Sequence, residues 1–296
     1  MLTNTSPATR KRAESASIKT VDTDKDLVAV SDYIVSIVPP RDAAATAQRI
    51  ITALQSETRQ YPSHPLYYLD LNAISPSSAR AIDHAFRENA PTVRFVDGGI
   101  IGNPPKLKEG TDGSKADDIA NWTRPSIPIS GPHLLPDAPV SGIKFATVLN
   151  TKLIAASIGT ASGLKCSFAT LTKGFTALAI QSYSTASRLG VLDHLQAEIE
   201  NFNPALRKRA EVGMVGMCPK AYRWVDEMRE IRKCHAEEGG WEEEAGIFGE
   251  VADVFEFVAN ETVLGEEKVG ERKRGTSAED VAAVMAESLG NDKMKK

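Results

Sequence analysis

Apolar residues in the first half of the chain come in short runs, each followed by a segment with helical spacing. DYIVSIVPP (Asp32 to Pro40) is a continuous β-branched run closed by two prolines, and RDAAATAQRIITAL after it has the period of an amphipathic helix. LYYLDLNAISPSSARAIDHAF (Leu66 to Phe86) repeats the arrangement as a strand, a polar turn with proline near the helix start, then a helix. TVRFVDGG (Thr92 to Gly99) is a third strand, ending in glycines. Short apolar runs alternating with helices predict a parallel sheet covered by helices, an α/β domain of the doubly wound kind. From Asn103 to Pro128 the pattern lapses into Pro, Gly, Asp and Lys, as a surface insertion does. The strand-like SIPIS follows, then a segment containing FATVLN, then KLIAAS before Gly159.

Beyond Gly159 the pattern is helical only. Residues 161 to 188 predict one helix of about 28 residues, roughly 42 Å long, stopped by Gly190. Further helices are expected at 191 to 201, 203 to 212, 219 to 238 and 243 to 263. A charged linker, GEEKVGERKRG, leads to a last helix for which Thr276-Ser-Ala-Glu279 predicts a capping box. The expected organisation is an α/β domain over 1 to 158 followed by an all-α domain over 159 to 290. Phe168, Leu171, Phe175, Leu178 and Ile180 lie on the long helix with few charges, and a helix apolar on several faces must be covered by other elements. A homodimer is the expected cover; the other reading is that the C-terminal helices, 243 to 263 especially, wrap it within one chain.

Composition narrows the partners. The formal net charge of −4 gives no basic surface for nucleic acid, and no apolar run reaches the length of a membrane span. MLTNTSPATRKRAES lacks the apolar core of a secretory signal, which makes a cytoplasmic protein the default. The odd set of Cys166, Cys218 and Cys234 has no CxxC spacing, and the five histidines are scattered, so neither a disulfide framework nor a metal site is expected.

Two features carry the candidate chemistry. A dinucleotide fold normally opens with strand, GxGxxG and helix, yet no glycine precedes Gly98. Either the fold is not a nucleotide fold or its first strand and helix are missing. The other feature is Lys165 in GTASGLKCSFATLTKG, at the head of a stretch with little charge until Arg188. A buried lysine is costly unless it is paired or used. The ordinary reading is that Lys165, and Lys173 eight residues on, snorkel from the helix to water.

ASGLK (161 to 165), TKG (172 to 174) and AYRWVDEMREI (221 to 231) resemble the 3-hydroxyacid dehydrogenases related to 6-phosphogluconate and 3-hydroxyisobutyrate dehydrogenase, in a branch reading ASxLK, TKG and AYRWxxEMxEI. The resemblance implies a Rossmann-like domain followed by a helical domain, with Lys165 as the catalytic lysine that takes the proton of a 3-hydroxyl while hydride leaves for NADP. That role requires the neutral amine. It also implies that the chain begins one strand and one helix late, through a real truncation or a wrongly chosen start codon. Without that glycine loop, NADP(H) binding is expected to be weak or absent.

In the family register, Asn4, Thr5 and Ser6 end the second Rossmann strand, with Arg10 as a candidate 2′-phosphate ligand; a plain strand end and helix cap is the other reading. Pro39 and Pro40 close the fourth strand under the cofactor. Asn72 and Ala73 stand where the family has Ser and Thr at a strand end, and Arg229 falls near a lysine that faces the nicotinamide, although a solvated helix face explains it equally. The substrate signature is assigned to DGGIIG (97 to 102), which makes Gly98, Gly99, Gly102 and Asn103 the expected contacts of a small 3-hydroxy acid. DAPVSG (137 to 142) matches that signature letter for letter but lies too near Lys165, and is read as a coincidence. The family's serine becomes Ile101, and its asparagine one turn beyond the lysine becomes Ala169. The alternative class is a non-catalytic dimer that keeps the helical domain and has lost the cofactor.

Overall fold

The computed structural model describes residues 7–56, 64–113, 116–242, 246–268 and 270–292. Two compact units divide between Lys165 and Cys166. Among the described residues no helix is long and apolar enough to cross a membrane.

The first unit is a sheet with helices. After α1 (Pro7–Ser15) and α2 (Asp24–Val30) come β1 (Tyr33–Ser36), α3 (Ala43–Ser56), β2 (Tyr67–Asp70), α4 (Pro76–Asn89) and β3 (Arg94–Gly98). The start of α2 is set by Thr23, whose hydroxyl accepts from the Asp26 amide while the Asp26 carboxylate accepts from the Thr23 amide. Ser75 caps α4 and Pro76 occupies its first turn, where a missing N–H costs nothing. β1, β2 and β3 pair in parallel, with Tyr33 opposite Tyr67 and Tyr67 opposite Arg94.

The chain then makes a two-stranded ladder of β4 (Lys106–Leu107) and β5 (Trp122–Thr123) within the segment read as an insertion. β6 (Ile127–Ser130), α5 (Gly142–Leu149) and β7 (Thr151–Ala155) follow. β6 runs antiparallel to β3 and β7 parallel to β6, giving the order β1-β2-β3-β6-β7. The sheet is thus parallel over its first three strands and reverses at the fourth, which the period of the apolar runs could not reveal because both pairings bury the same alternation. All four residues of β2 are buried, and alternate residues enter different cores. Tyr68 joins Ile51, Phe86 and Phe95 on one face, and Tyr67 and Leu69 join Val96 and Ile129 on the other.

The second unit is helical. α6 (Thr160–Ala169), whose first residues belong to the first unit, leads through a π-helical turn, Thr170–Gly174, into α7 (Phe175–Leu189), which Gly190 ends at φ 71°. The single long helix of the sequence reading is therefore two helices with a widened turn between them. The hydroxyls of Thr170 and Thr172 donate to the carbonyls of Cys166 and Phe168 at 2.9 and 3.1 Å, a competition for backbone acceptors that favours bending. α8 (Leu192–Phe202), α9 (Pro204–Met217), α10 (Ala221–Glu237), α11 (Phe248–Glu261) and α12 (Ala278–Asp292) complete the unit. Ile180, Met214, Met228, Phe255 and Val281 form part of its core. The cap of α12 is one residue later than expected: the Ser277 hydroxyl accepts from the Asp280 amide, and Glu279 is drawn away by the Gln196 amide at 2.6 Å.

One buried group makes the first unit sensitive to pH. Asp70 is 1% exposed, its Oδ1 accepts from the Asn72 amide at 2.9 Å, and its Oδ2 has no hydrogen-bond partner among the described residues. Burial is the main cause, with the nearby Asp97 carboxylate adding to it, that pushes Asp70 from 3.8 up to about 7 against the Asn72 hydrogen bonds. A carboxyl whose folded value is raised holds its proton longer in the native state, so its contribution is complete below pH 4 and is lost as pH rises through 7. Urea midpoints should show native stability falling by roughly 4 kcal/mol across that window on account of this group, and Asp70→Asn should remove that component. Identical pH dependence in the two proteins would reject the assignment.

Candidate active site at Lys165

The end of β3 and the start of α6 are joined by one carboxylate. Asp97 is 1% exposed. Its Oδ2 accepts from the Ser130 hydroxyl at 2.8 Å, the Gly159 amide at 2.9 Å and the Ser162 amide at 3.2 Å, and its Oδ1 accepts from the Ser162 hydroxyl at 2.5 Å. Ser130 passes the connection on by accepting from the Ala161 amide at 3.0 Å. Amides at the first turn of a helix have no intrahelical acceptor, and a carboxylate there also meets the positive end of the helix dipole. Gly159 sits at φ +99°, where a Cβ would press on Pro76 and Arg80, so glycine is required at the entry to α6.

One turn further on, Lys165 meets the glycines that end β3. A Cβ on Gly99 would lie 2.8 Å from Lys165 Cβ, and one on Gly98 would lie 2.5 Å from the Leu71 side chain. Absence of those atoms lets the strand end approach both α6 and the end of β2. Lys165 Nζ donates to the Ile100 carbonyl at 2.7 Å. The lysine is partly buried rather than enclosed. It does not snorkel freely.

The other expected substrate contacts are further out. Ile101 bridges Ser126 through both backbone groups at 2.9 Å, and beyond it Gly102 (φ +119°) and Asn103 are exposed. Pro39 and Pro40 follow β1, and Asn72 and Ala73 follow β2, at the same C-terminal edge of the parallel strands as Gly98 and Gly99. Asn72 is 2% exposed and its amide braces β1 against β2, accepting from the Val38 amide at 2.7 Å and donating to the Ser36 hydroxyl at 2.9 Å. Pro39, Pro40 and Ala73 are partly exposed. Arg10 is exposed on α1, while Asn4, Thr5 and Ser6 lie outside the described residues.

DAPVSG lies at the opposite edge. The Val140 carbonyl accepts from the Tyr33 hydroxyl, and Tyr33 opens β1, whereas Gly98 closes the parallel β3. Its glycine has a packing reason, since a Cβ on Gly142 would meet the Leu135 carbonyl at 2.5 Å at the start of α5.

In the second unit, Lys173 pairs with Glu227, their side chains 16% and 8% exposed, and lies 4.7 Å from the centre of the Trp224 ring. The snorkelling reading of Lys173 is corrected by this buried partner. Spacing could not have found the pair, because 54 residues separate its members. Arg229 is 55% exposed and pairs with Asp226 and Glu256, each at 3.2 Å. Ala169 is buried in the helical core. Among the described residues no group of three His, Cys, Asp or Glu side chains could hold a metal ion.

Asp97→Ala should strand four donors at once. Unsatisfied buried groups cost ~1–3 kcal/mol each before relaxation, so the variant should lose roughly 3 kcal/mol or more in urea unfolding, and Ser130→Ala should lose less. Equal, small effects in both would remove Asp97 from its central place.

Residues 186–258 match DUF1932, a domain of unknown function. The uncharacterized 28.5 kDa protein in the 7S RNA 5′ region of Methanothermus fervidus is 26% identical over 234 residues, covering 77% of each chain. Among solved structures, 3-hydroxyisobutyrate dehydrogenase from Salmonella typhimurium superposes with a TM-score of 0.58 at 14% identity, covering 95% of this chain and 90% of that one. The Mycobacterium tuberculosis 3-hydroxyisobutyrate dehydrogenase gives 0.56 at 15% identity, covering 96% and 88%. With its three parallel strands, its reversal at β6 and the helices beyond Lys165, the chain has the fold of the 3-hydroxyacid dehydrogenases and carries a DUF1932 domain within its helical region.

Proposed function

We propose that the protein is an NADP-dependent oxidoreductase of the 3-hydroxyacid dehydrogenase kind, acting on a small 3-hydroxy acid in the cytoplasm. The observation that carries this reading is Lys165, whose Nζ is oriented by the Ile100 carbonyl at the glycine end of β3. In open α/β sheets ligands bind outside the carboxyl ends of the strands, and Pro39–Pro40, Ala73 and Gly98–Gly99 share that edge. These residues fit the nicotinamide end of such a cofactor. Its pyrophosphate is ordinarily cradled by a glycine turn, and residues 1–97 contain no glycine.

A bound nicotinamide would supply the hydride acceptor. The chain's own part is the proton: the Lys165 amine takes it from the 3-hydroxyl as the C–O bond becomes a carbonyl, and the Ile100 carbonyl holds the resulting ammonium in place. Gly99 leaves the space in which the lysine stem passes the strand. The second reading, a non-catalytic protein, is favoured by Ala169 and Ile101 at positions of family polar residues. The three free cysteines support a reducing compartment under either reading.

Nicotinamide reduction, followed by absorbance with NADP and a panel of small 3-hydroxy acids, separates the two readings. Lys165→Ala should lower turnover by ~10²- to 10⁴-fold with an unchanged melting temperature. Lys173→Ala should show the opposite pattern, because it leaves Glu227 buried and unpaired at a cost of ~3–5 kcal/mol while sparing the proton acceptor. A chain that neither turns over any substrate nor binds NADPH supports the non-catalytic protein.

We further propose a homodimer through the helical unit. Phe168, Leu171 and Leu178 are 42%, 72% and 55% exposed and recur at helical spacing along α6, the π turn and α7. A stripe of this kind on a soluble chain marks an interaction surface. Sedimentation at micromolar concentration should give twice 31.9 kDa, and Leu171→Asp with Leu178→Asp should return the monomer. A constant monomeric mass for the unaltered chain would rule the dimer out.

A further inference from the structure

A cavity of about 560 Å³ opens at the start of β3, the opposite end of that strand from Lys165. Its rim is basic. Arg80, Asp83 and Arg87 lie on one face of α4 at helical spacing, Arg94 begins β3, and His133 follows β6. Asp83 is engaged by Arg87 at 3.0 Å. No carboxylate pairs with Arg94 among the described residues, and three guanidiniums share the cleft with a single carboxylate. This is a local excess of positive charge on a chain of net charge −4. Its effect reaches His133, which burial and the Arg94 charge hold below the ordinary histidine value against the opposing pull of Asp83.

The floor of the cavity is apolar. Phe86 and Phe95 are 1% and 2% exposed and pack their rings at a tilt, 6.0 Å apart, beneath it, and Ile158 closes one side. Low-dielectric walls focus the field of a charged rim onto the cleft. Planar guanidiniums in such a place match the oxygens of carboxylates and phosphates two at a time. Packing gives no account of Arg94 and Arg87, both exposed. The geometry points to a binding site for a small doubly charged oxyanion, a phosphate monoester or a dicarboxylate, held by Arg87 and Arg94 with its apolar part toward Ile158. None of these residues takes part in the proton chemistry proposed for Lys165, so the two sites stand or fall separately.

Calorimetric titration of the full chain with inorganic phosphate and with succinate, at constant ionic strength set by chloride, tests the site. Saturable binding at one equivalent is expected for at least one probe, and the tighter of the two assigns the ligand class. The double substitution Arg87→Gln with Arg94→Gln should weaken that binding about tenfold or more, because it removes both charge-assisted donors. Lys152→Gln, which removes one positive charge from exposed β7, should leave it unchanged. If circular dichroism shows the double variant unfolded, Arg94→Gln alone answers the question. No saturable heat with either probe, or equal binding by the arginine and Lys152 variants, overturns the proposal.

Discussion

The Asp97 carboxylate is the constraint on which the candidate site depends. It stands near the end of the third parallel strand and gathers donors from the strand on its other side and from the first turn of α6. Backbone amides at a buried helix start need acceptors, and a carboxylate in a buried position needs donors. Each requirement satisfies the other. The reversal of the sheet at β6 is part of the same arrangement, because the register that sets Ser130 opposite Asp97 brings a hydroxyl to the carboxylate and then to the Ala161 amide.

With the start of α6 held in this way, distance decides the rest. Lys165 follows Ser162 by three residues and so falls on the same side of the helix as the Asp97 anchor. The strand end facing it has room only because Gly99 lacks a side chain. The lysine stem fills the space above Gly99 and its amine reaches the Ile100 carbonyl, which leaves a mobile side chain with one preferred direction. The edge of the sheet is tightened further by Asn72, whose amide ties the ends of β1 and β2. A rigid edge carrying one oriented amine is what general acid-base chemistry requires of a scaffold.

The helical unit is organised around a different pair. Lys173 and Glu227 come from the π turn and from α10, with Trp224 beside the ammonium and Phe255 of α11 edge-on to Trp224 at 5.2 Å. A buried ion pair is weak evidence of stability, but loss of one partner is costly. The widened turn that presents Lys173 is therefore tied to the packing of α10 against α11. Opposite the core, the same helical path leaves Leu171 and Leu178 exposed.

The succession of strands and helices, the lysine in ASGLK and the glycines that end the third strand were legible in the sequence, because apolar period, prolines and glycines report local backbone geometry. DAPVSG shows the limit of letters alone: its six matching residues lie at the opposite edge of the sheet from Gly98 and Gly99, as the Tyr33 to Val140 contact shows. Strand direction at β6, the Asp97 donors from residues 130, 159 and 162, and the Lys173–Glu227 pair all required the tertiary structure. Each joins residues far apart in the chain, and neither period nor spacing carries information about which distant segments meet. The widened turn at Thr170 to Gly174 was hidden for a related reason: a π turn and an α turn bury nearly the same apolar positions. The chain alone thus determined which segments become strands and helices, through local backbone preference. Packing decided which lysine is oriented beside a strand end and which is locked in an ion pair.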